Sequence, residues 1–182
     1  MFEFVADHPV LDFVATVAER HTTRHENLTS PADLATWVAE SGLVDDELRL
    51  DEAGFQHALA VREALFGLVS ALIDDCRPAA SDLELVNGAA SRPRPQLRLD
   101  REGRVHRRGD LDAVLAELAT DGLDLAGSPD REALHWCADA ACTRPFVDRS
   151  RGQRRRWCGM KGCGDRAKAA AYRHRLRTPA SS

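Results

Sequence analysis

Four cysteines near the C-terminus follow the spacing Cys137-x4-Cys142-x15-Cys158-x4-Cys163. Two close pairs separated by a loop can wrap four thiolates around one tetrahedral Zn²⁺, and a soft set supplied wholly by the protein leaves no coordination position open for water or substrate. The chemistry implied is structural: one zinc ion per chain that builds a fold and hydrolyses nothing. Cations crowd the same stretch. Arg149, Arg151, Arg154, Arg155, Arg156, Lys161, Arg166, Lys168, Arg173 and Arg177 lie between or just beyond the cysteine pairs. A zinc-stapled basic module reads most simply as a nucleic-acid binder, with these side chains as its candidate contacts. Of the 13 basic residues from 131 onward only Lys161 and Lys168 are lysines. The planar arginine fork suits phosphates and guanine edges better than an ammonium does.

Charge is divided along the chain. Lys+Arg 25 against Asp+Glu 29 gives a formal net charge of −4. Residues 131–182 hold 13 basic and 4 acidic residues, a balance of +9, whereas residues 1–130 hold 12 basic and 25 acidic, a balance of −13. The acidic half is therefore expected to be a body and the basic half a contact module. Other residues that could do chemistry are scattered. His8, His21 and His25 stand near Asp7, Asp12 and Glu19, and His21 and His25 could share a helix face, yet no third patterned ligand accompanies them. No phosphate-cradling glycine loop, nucleophile elbow or paired-carboxylate motif is present, so the expectation is a protein that is not an enzyme. Cys76 is expected at a helix end, half-buried and without a reactive role.

The elements that must position the cysteines are mainly helical. With 182 residues and 43% hydrophobic content, the chain can form one medium domain and a small module. Apolar residues at Leu11, Val14, Ala15 and Ala18 predict a helix over 10–20, and Ser30-Pro31 opens a second that carries Leu34, Trp37 and Val38 and stops at Gly42. The strongest periodicity, Leu59, Val61, Leu65, Leu68, Val69 and Leu72, predicts a central helix over about 51–75. Ser81-x-x-Glu84 has the form of a capping box for a short helix ending near Ser91. After Arg92-Pro-Arg-Pro, alternation at Leu97, Leu99 and Val105 around Glu102-Gly103 predicts a two-stranded hairpin. Asp110 is expected to cap a helix stopping at Gly122, and Gly127-Ser-Pro-Asp130 to be the linker. A last helix from about 164 to 177 would carry Arg166, Arg173 and Arg177 on one stripe, with Ala169, Tyr172 and Leu176 turned towards the finger. Trp136, Phe146 and Trp157 flank the ligands and are expected to pack the small module.

The fold class is thus mainly α (α+β): a helical domain over 1–128 with a small hairpin, then a four-cysteine module over 129–182 ending in a helix. Truncation after Ser128 is expected to leave the helical part folded. Residues 1–20 lack a basic start and are broken by Glu3, Asp7, His8 and Asp12, and the apolar run over 65–73 is too short to span a bilayer. A cytoplasmic location is expected, where thiols stay reduced and available for metal.

The segment Cys137-Ala-Asp-Ala-Ala-Cys142, with Phe146-Val-Asp-Arg-Ser150 and Arg155-Arg-Trp-Cys-Gly-Met-Lys-Gly-Cys-Gly-Asp-Arg166, resembles the CGNR zinc-finger family. Leu11-Asp12-Phe13-Val14-Ala15-Thr16 and Asp33-Leu34-Ala35-Thr36-Trp37-Val38 are similar to that family's N-terminal domain, called ABATE. The resemblance implies a stress-induced bacterial transcription regulator, associated with the nucleoid when DNA-bound. One departure falls in the name-giving motif, where Asp165 stands for the family's Asn. Aspartate caps a helix as well as asparagine does, but it would repel a phosphate. The reading is a zinc-binding transcription regulator that contacts DNA through its finger, with the N-terminal domain as a sensor for a small molecule or as the seat of a homodimer, and no membrane partner. The alternative is a zinc-stabilised module that binds protein and not nucleic acid.

Overall fold

The computed structural model describes residues 2–177, and of residues 170, 171 and 174–177 the backbone alone. The chain begins with a short helix α1 (Pro9–Val14), where proline occupies the first turn. It ends well before residue 20. From there the backbone folds over into a two-residue hairpin, β1 (Val17–Ala18) against β2 (His25–Glu26), closed by left-handed residues Glu19 and Arg24. His21 and His25 consequently share no helix face, because this turn replaces the expected helical continuation.

Helix α2 (Pro31–Ser41) is capped as its sequence dictates: Ser30 accepts from the Asp33 amide, and Gly42 at φ 68° ends it. Helix α3 (Glu52–Ile73), capped by Asp51, is the axis of the core, burying Phe55, Ala58, Val61, Leu65, Leu68 and Val69. By length and composition alone this one helix would also suit a membrane span, but here its apolar side chains are packed between α1, α2 and the helices that follow. Helix α4 (Ala80–Ala90) starts one residue before Ser81, with Ala79 at the cap and no side-chain cap bond. The expected capping box is not used. Val86 and Ala89 anchor the helix inside the body, and Asp82 places a negative charge in the first turn, so the hydroxyl is not needed to fix the start.

The hairpin β3 (Gln96–Leu99) with β4 (Val105–Arg108) pairs antiparallel from Gln96↔Arg108 to Leu99↔Val105. Helix α5 (Leu111–Gly127) is capped by Asp110 and runs straight through Gly122. That glycine serves packing instead of termination: a Cβ there would stand 3.1 Å from Leu65 Cδ2, so its absence lets α5 lie close on α3. The expected linker is ordered too, with Ser128 capping a 3-10 turn, Pro129–Ala133.

The core does not stop at residue 128. Strand β5 (Leu134–Trp136) pairs with β6 (Pro145–Val147), and Ala133, Leu134 and Val147 are buried in the same cluster as Leu65, Leu118 and Leu125. Trp136 lies against Phe66 of α3, ring centroids 5.8 Å apart, and its indole N–H donates to Asp74 at 3.1 Å. Helix α6 (Asp165–Arg177) closes the described chain.

A charged network braces the body beneath the finger. Arg62 of α3, only 2% exposed, donates in bidentate fashion to Glu26 at 2.7 and 2.7 Å and also to Thr16 at 3.0 Å. Beside it Arg20 donates to Glu63 at 2.6 Å and lies 3.8 Å over the Phe66 ring, while its own amide donates to Thr143 Oγ1 in the finger. Burial pushes the Glu63 carboxyl up, but the Arg20 hydrogen bond and the charges of Arg20 and Arg62 outweigh it and hold the group below its ordinary range.

Candidate metal centre and basic surface

Each cysteine pair sits on a tight backbone knuckle. The β5–β6 ladder delivers Cys137 at its end, where its amide donates to Arg144 O at 3.1 Å, and Cys142 N closes the first knuckle onto Asp139 O at 2.8 Å. The second knuckle bends at Gly162, φ +90°, and closes with Gly164 N to Gly159 O at 3.1 Å. Only a residue without a Cβ takes that φ at little cost, which explains a glycine between Cys158 and Cys163.

The four Sγ atoms lie within 4.8 Å of one another, and Cys158 Sγ is 3.8 Å from both Cys142 Sγ and Cys163 Sγ. A tetrahedron with Zn–S bonds of about 2.3 Å has edges of about 3.8 Å, so donor type and spacing both fit one zinc ion held by Cys137, Cys142, Cys158 and Cys163. Proton chemistry points the same way. The hydrogen bond from Cys158 draws Cys142 down to about 5, while the bond to Cys142 and burial push Cys158 far up, and burial with the nearby Cys142 charge raises Cys163 to about 12. Four thiolates this close need a dication among them to ionise together.

Around the sulfurs, Arg166 ties the knuckles together. Its Nε donates to Asp139 Oδ2 at 2.9 Å and its Nη2 to Cys163 Sγ at 3.0 Å. Arg155 is equally engaged: its guanidinium lies 4.7 Å over Phe146, Nε donates to Trp157 O at 2.9 Å, and Nη2 reaches the Cys158 carbonyl. Its amide donates at 2.7 Å to Asp148, a buried residue that also takes the Ser150 amide. Arg149 joins the finger to the body through Asp130 at 2.5 Å, and Asp130 stands 3.3 Å from His8 Nε2, whose other ring nitrogen is 2.8 Å from Asp121.

The candidate nucleic-acid contacts thus separate. Arg149, Arg155 and Arg166 have guanidiniums bound within the protein. Arg151, Arg154, Arg156, Lys161, Lys168 and Arg173 are exposed and form no ion pair among the described residues. The side chain of Arg177, and that of Leu176, lie outside the described residues; Tyr172, expected to turn inward, is exposed. Arg156, Lys168 and Arg173 share a groove of about 820 Å³ with Trp157, Ala138 and Ala141, between α6 and the first knuckle. Asp165 is exposed in the first turn of α6, where a negative charge complements the helix N-terminus. Sequence reasoning missed the β5–β6 ladder and the Arg155 and Arg166 brackets. The alternation Leu134-His135-Trp136 and Pro145-Phe146-Val147 was the available signal for the first; none existed for the second.

A helical body closed by a tetrathiolate knuckle pair defines a zinc-finger protein with the ion in a structural role. The chain belongs to the ABATE family, described as "Putative stress-induced transcription regulator", whose family model matches residues 7–129. Residues 134–176 match the CGNR zinc finger. No curated protein matches the chain.

Proposed function

We propose that this protein is a DNA-binding transcription regulator and not an enzyme, with the zinc-stapled finger as a contact module and the helical body as the sensing or oligomerising half. The observation that carries this is the surface left over once the finger's structural arginines are satisfied. Arg151, Arg154, Arg156, Lys161, Lys168 and Arg173 remain exposed on a framework that zinc, Arg155 and Arg166 hold in shape. Cations displayed on a rigid scaffold exchange counterions for phosphates without first having to be ordered.

The test is a salt titration of DNA binding by the zinc-loaded full chain, read by fluorescence anisotropy. If about five of these cations meet phosphates, they contribute roughly −4 to −5 to the slope of log K against log salt, and Arg173→Ala reduces that slope by about one. Absence of binding at about 50 mM salt, with zinc bound and the chain folded, turns the reading to a module that binds an acidic protein surface.

A further inference from the structure

The helical body is acidic, yet seven of its twelve basic residues are concentrated in residues 92–108: Arg92, Arg94, Arg98, Arg101, Arg104, Arg107 and Arg108, against only Asp100 and Glu102. This stretch is the β3–β4 ribbon and its approach. All eight strand residues are exposed, including Leu97 at 68% and Leu99 at 66%. Register sorts the side chains. Gln96, Arg98, His106 and Arg108 share one face, and Leu97, Leu99, Val105 and Arg107 the other. The two acids do little to neutralise the arginines. Asp100 accepts the Glu102 and Arg104 amides at 3.0 and 2.8 Å and His106 Nε2 at 2.8 Å, so it is used to close the turn. Apart from a long Arg94–Glu117 contact of 3.7 Å, none of the seven forms an ion pair among the described residues.

The base of the ribbon is nevertheless fixed. Asp45 N donates to Arg107 O and Asp45 Oδ2 accepts from Arg107 N, both at 2.8 Å, so the ribbon is held at a set position on the body. Like charges gathered on a braced, exposed ribbon repel one another and make a surface that a polyanion is suited to neutralise.

We infer that the β3–β4 ribbon is a second DNA contact of this protein, separate from the finger, with its Gln96, Arg98, His106 and Arg108 face turned to the nucleic acid. A two-stranded ribbon has the width that the major groove admits. Glutamine is a side chain that pairs bidentately with adenine there, while Arg98, Arg101 and Arg108 meet the phosphates that line the groove. This rests on the reading of the protein as a DNA binder.

The experiment compares three zinc-loaded full-length proteins on the same duplex: wild type, the ribbon variant Arg98→Ala/Arg101→Ala/Arg108→Ala, and the finger variant Arg154→Ala/Lys168→Ala/Arg173→Ala. All substituted side chains are exposed, and circular dichroism with metal content confirms that each variant is folded. Loss of three phosphate-level contacts lowers the salt slope by about 2.7, so that the drop in affinity between about 50 and about 200 mM salt becomes about 40-fold smaller. The ribbon variant is expected to show that change, and a matching variant with lysine at the three positions to restore the slope. Binding by the ribbon variant with an unchanged slope, while the finger variant is weakened, overturns the ribbon contact and leaves the proposed function standing. Weakening by the ribbon variant alone keeps the ribbon and removes the finger. No binding by wild type overturns both.

Discussion

Replacing Leu134 with alanine separates a shared core from two independent units. Leu134 is the first residue of β5, 3% exposed, and packs with Ala133 and Val147 into the cluster that holds Leu65, Leu118 and Leu125 of α3 and α5. Truncating a buried leucine removes transfer energy and leaves a cavity that the neighbours fill only in part, at about 3 kcal/mol. A domain with a total stability of about 5–15 kcal/mol loses a large fraction of it, and for a chain of this length the midpoint of thermal unfolding falls by about 6–12 °C. Urea unfolding should be followed by two probes at once: far-ultraviolet circular dichroism, dominated by helices of the body, and release of zinc to a chromophoric chelator. Because the altered residue lies in the finger segment but packs in the body, both midpoints should move together. A shift of zinc release with the helical midpoint unmoved would refute the shared core and show the body over 1–128 to be an independent unit.

Metal analysis should find one zinc per chain, and Cys158→Ser should abolish it, since such sites contribute on the order of 10 kcal/mol or more of apparent binding energy; stoichiometric metal in the variant would contradict the ligand set. Arg62→Ala takes the guanidinium partner from Glu26 and one such partner from Glu63 and should cost about 3–5 kcal/mol in chemical denaturation, whereas a loss under 1 kcal/mol would mean the pair is well solvated. His8 is raised above its ordinary 6.5, first by its hydrogen bond with Asp121, so the fold favours the protonated ring. Its contribution is complete below about pH 6.5 and is lost as pH rises through the raised value. As pH rises above 6.5 the wild type should therefore lose stability that His8→Gln never has, and parallel pH curves for the two proteins would contradict the coupling.

Local rules written in few residues were legible. Ser30-Pro31 and Gly42 bound α2 where capping chemistry puts them, Asp110 caps α5, and Glu102-Gly103 turns the β3–β4 ribbon. The cysteine spacing was enough to expect one tetrathiolate site, because metal geometry depends on ligand type and loop reach alone. What stayed hidden was decided by partners distant in sequence. Gly122 reads as a helix stop until Leu65 is known to need its space. Arg155 and Arg166 read as free cations in a basic run, since nothing local says that one faces the Phe146 ring and the other Asp139 and a thiolate. Arg62 sits within an apolar periodicity as if on its solvent side, and only the fold-over at Glu19 and Arg24 brings Glu26 to meet it.

The bonds that clasp the N-terminal segment to the finger also set an order in time. Glu3 binds Arg144 and His8 stands against Arg149, each pair 141 residues apart. A ribosome adding about 5–20 residues per second completes such a pair roughly 7–28 s after its first member is made. Until α5 is made, the apolar stripe of α1, Val10, Leu11, Phe13 and Val14, lacks one of the helices, α3 and α5, that pack on it. Helix α1 is thus made long before the segments that lock it, and the nascent chain presents its apolar stripe to whatever holds unfinished proteins until α5 has emerged.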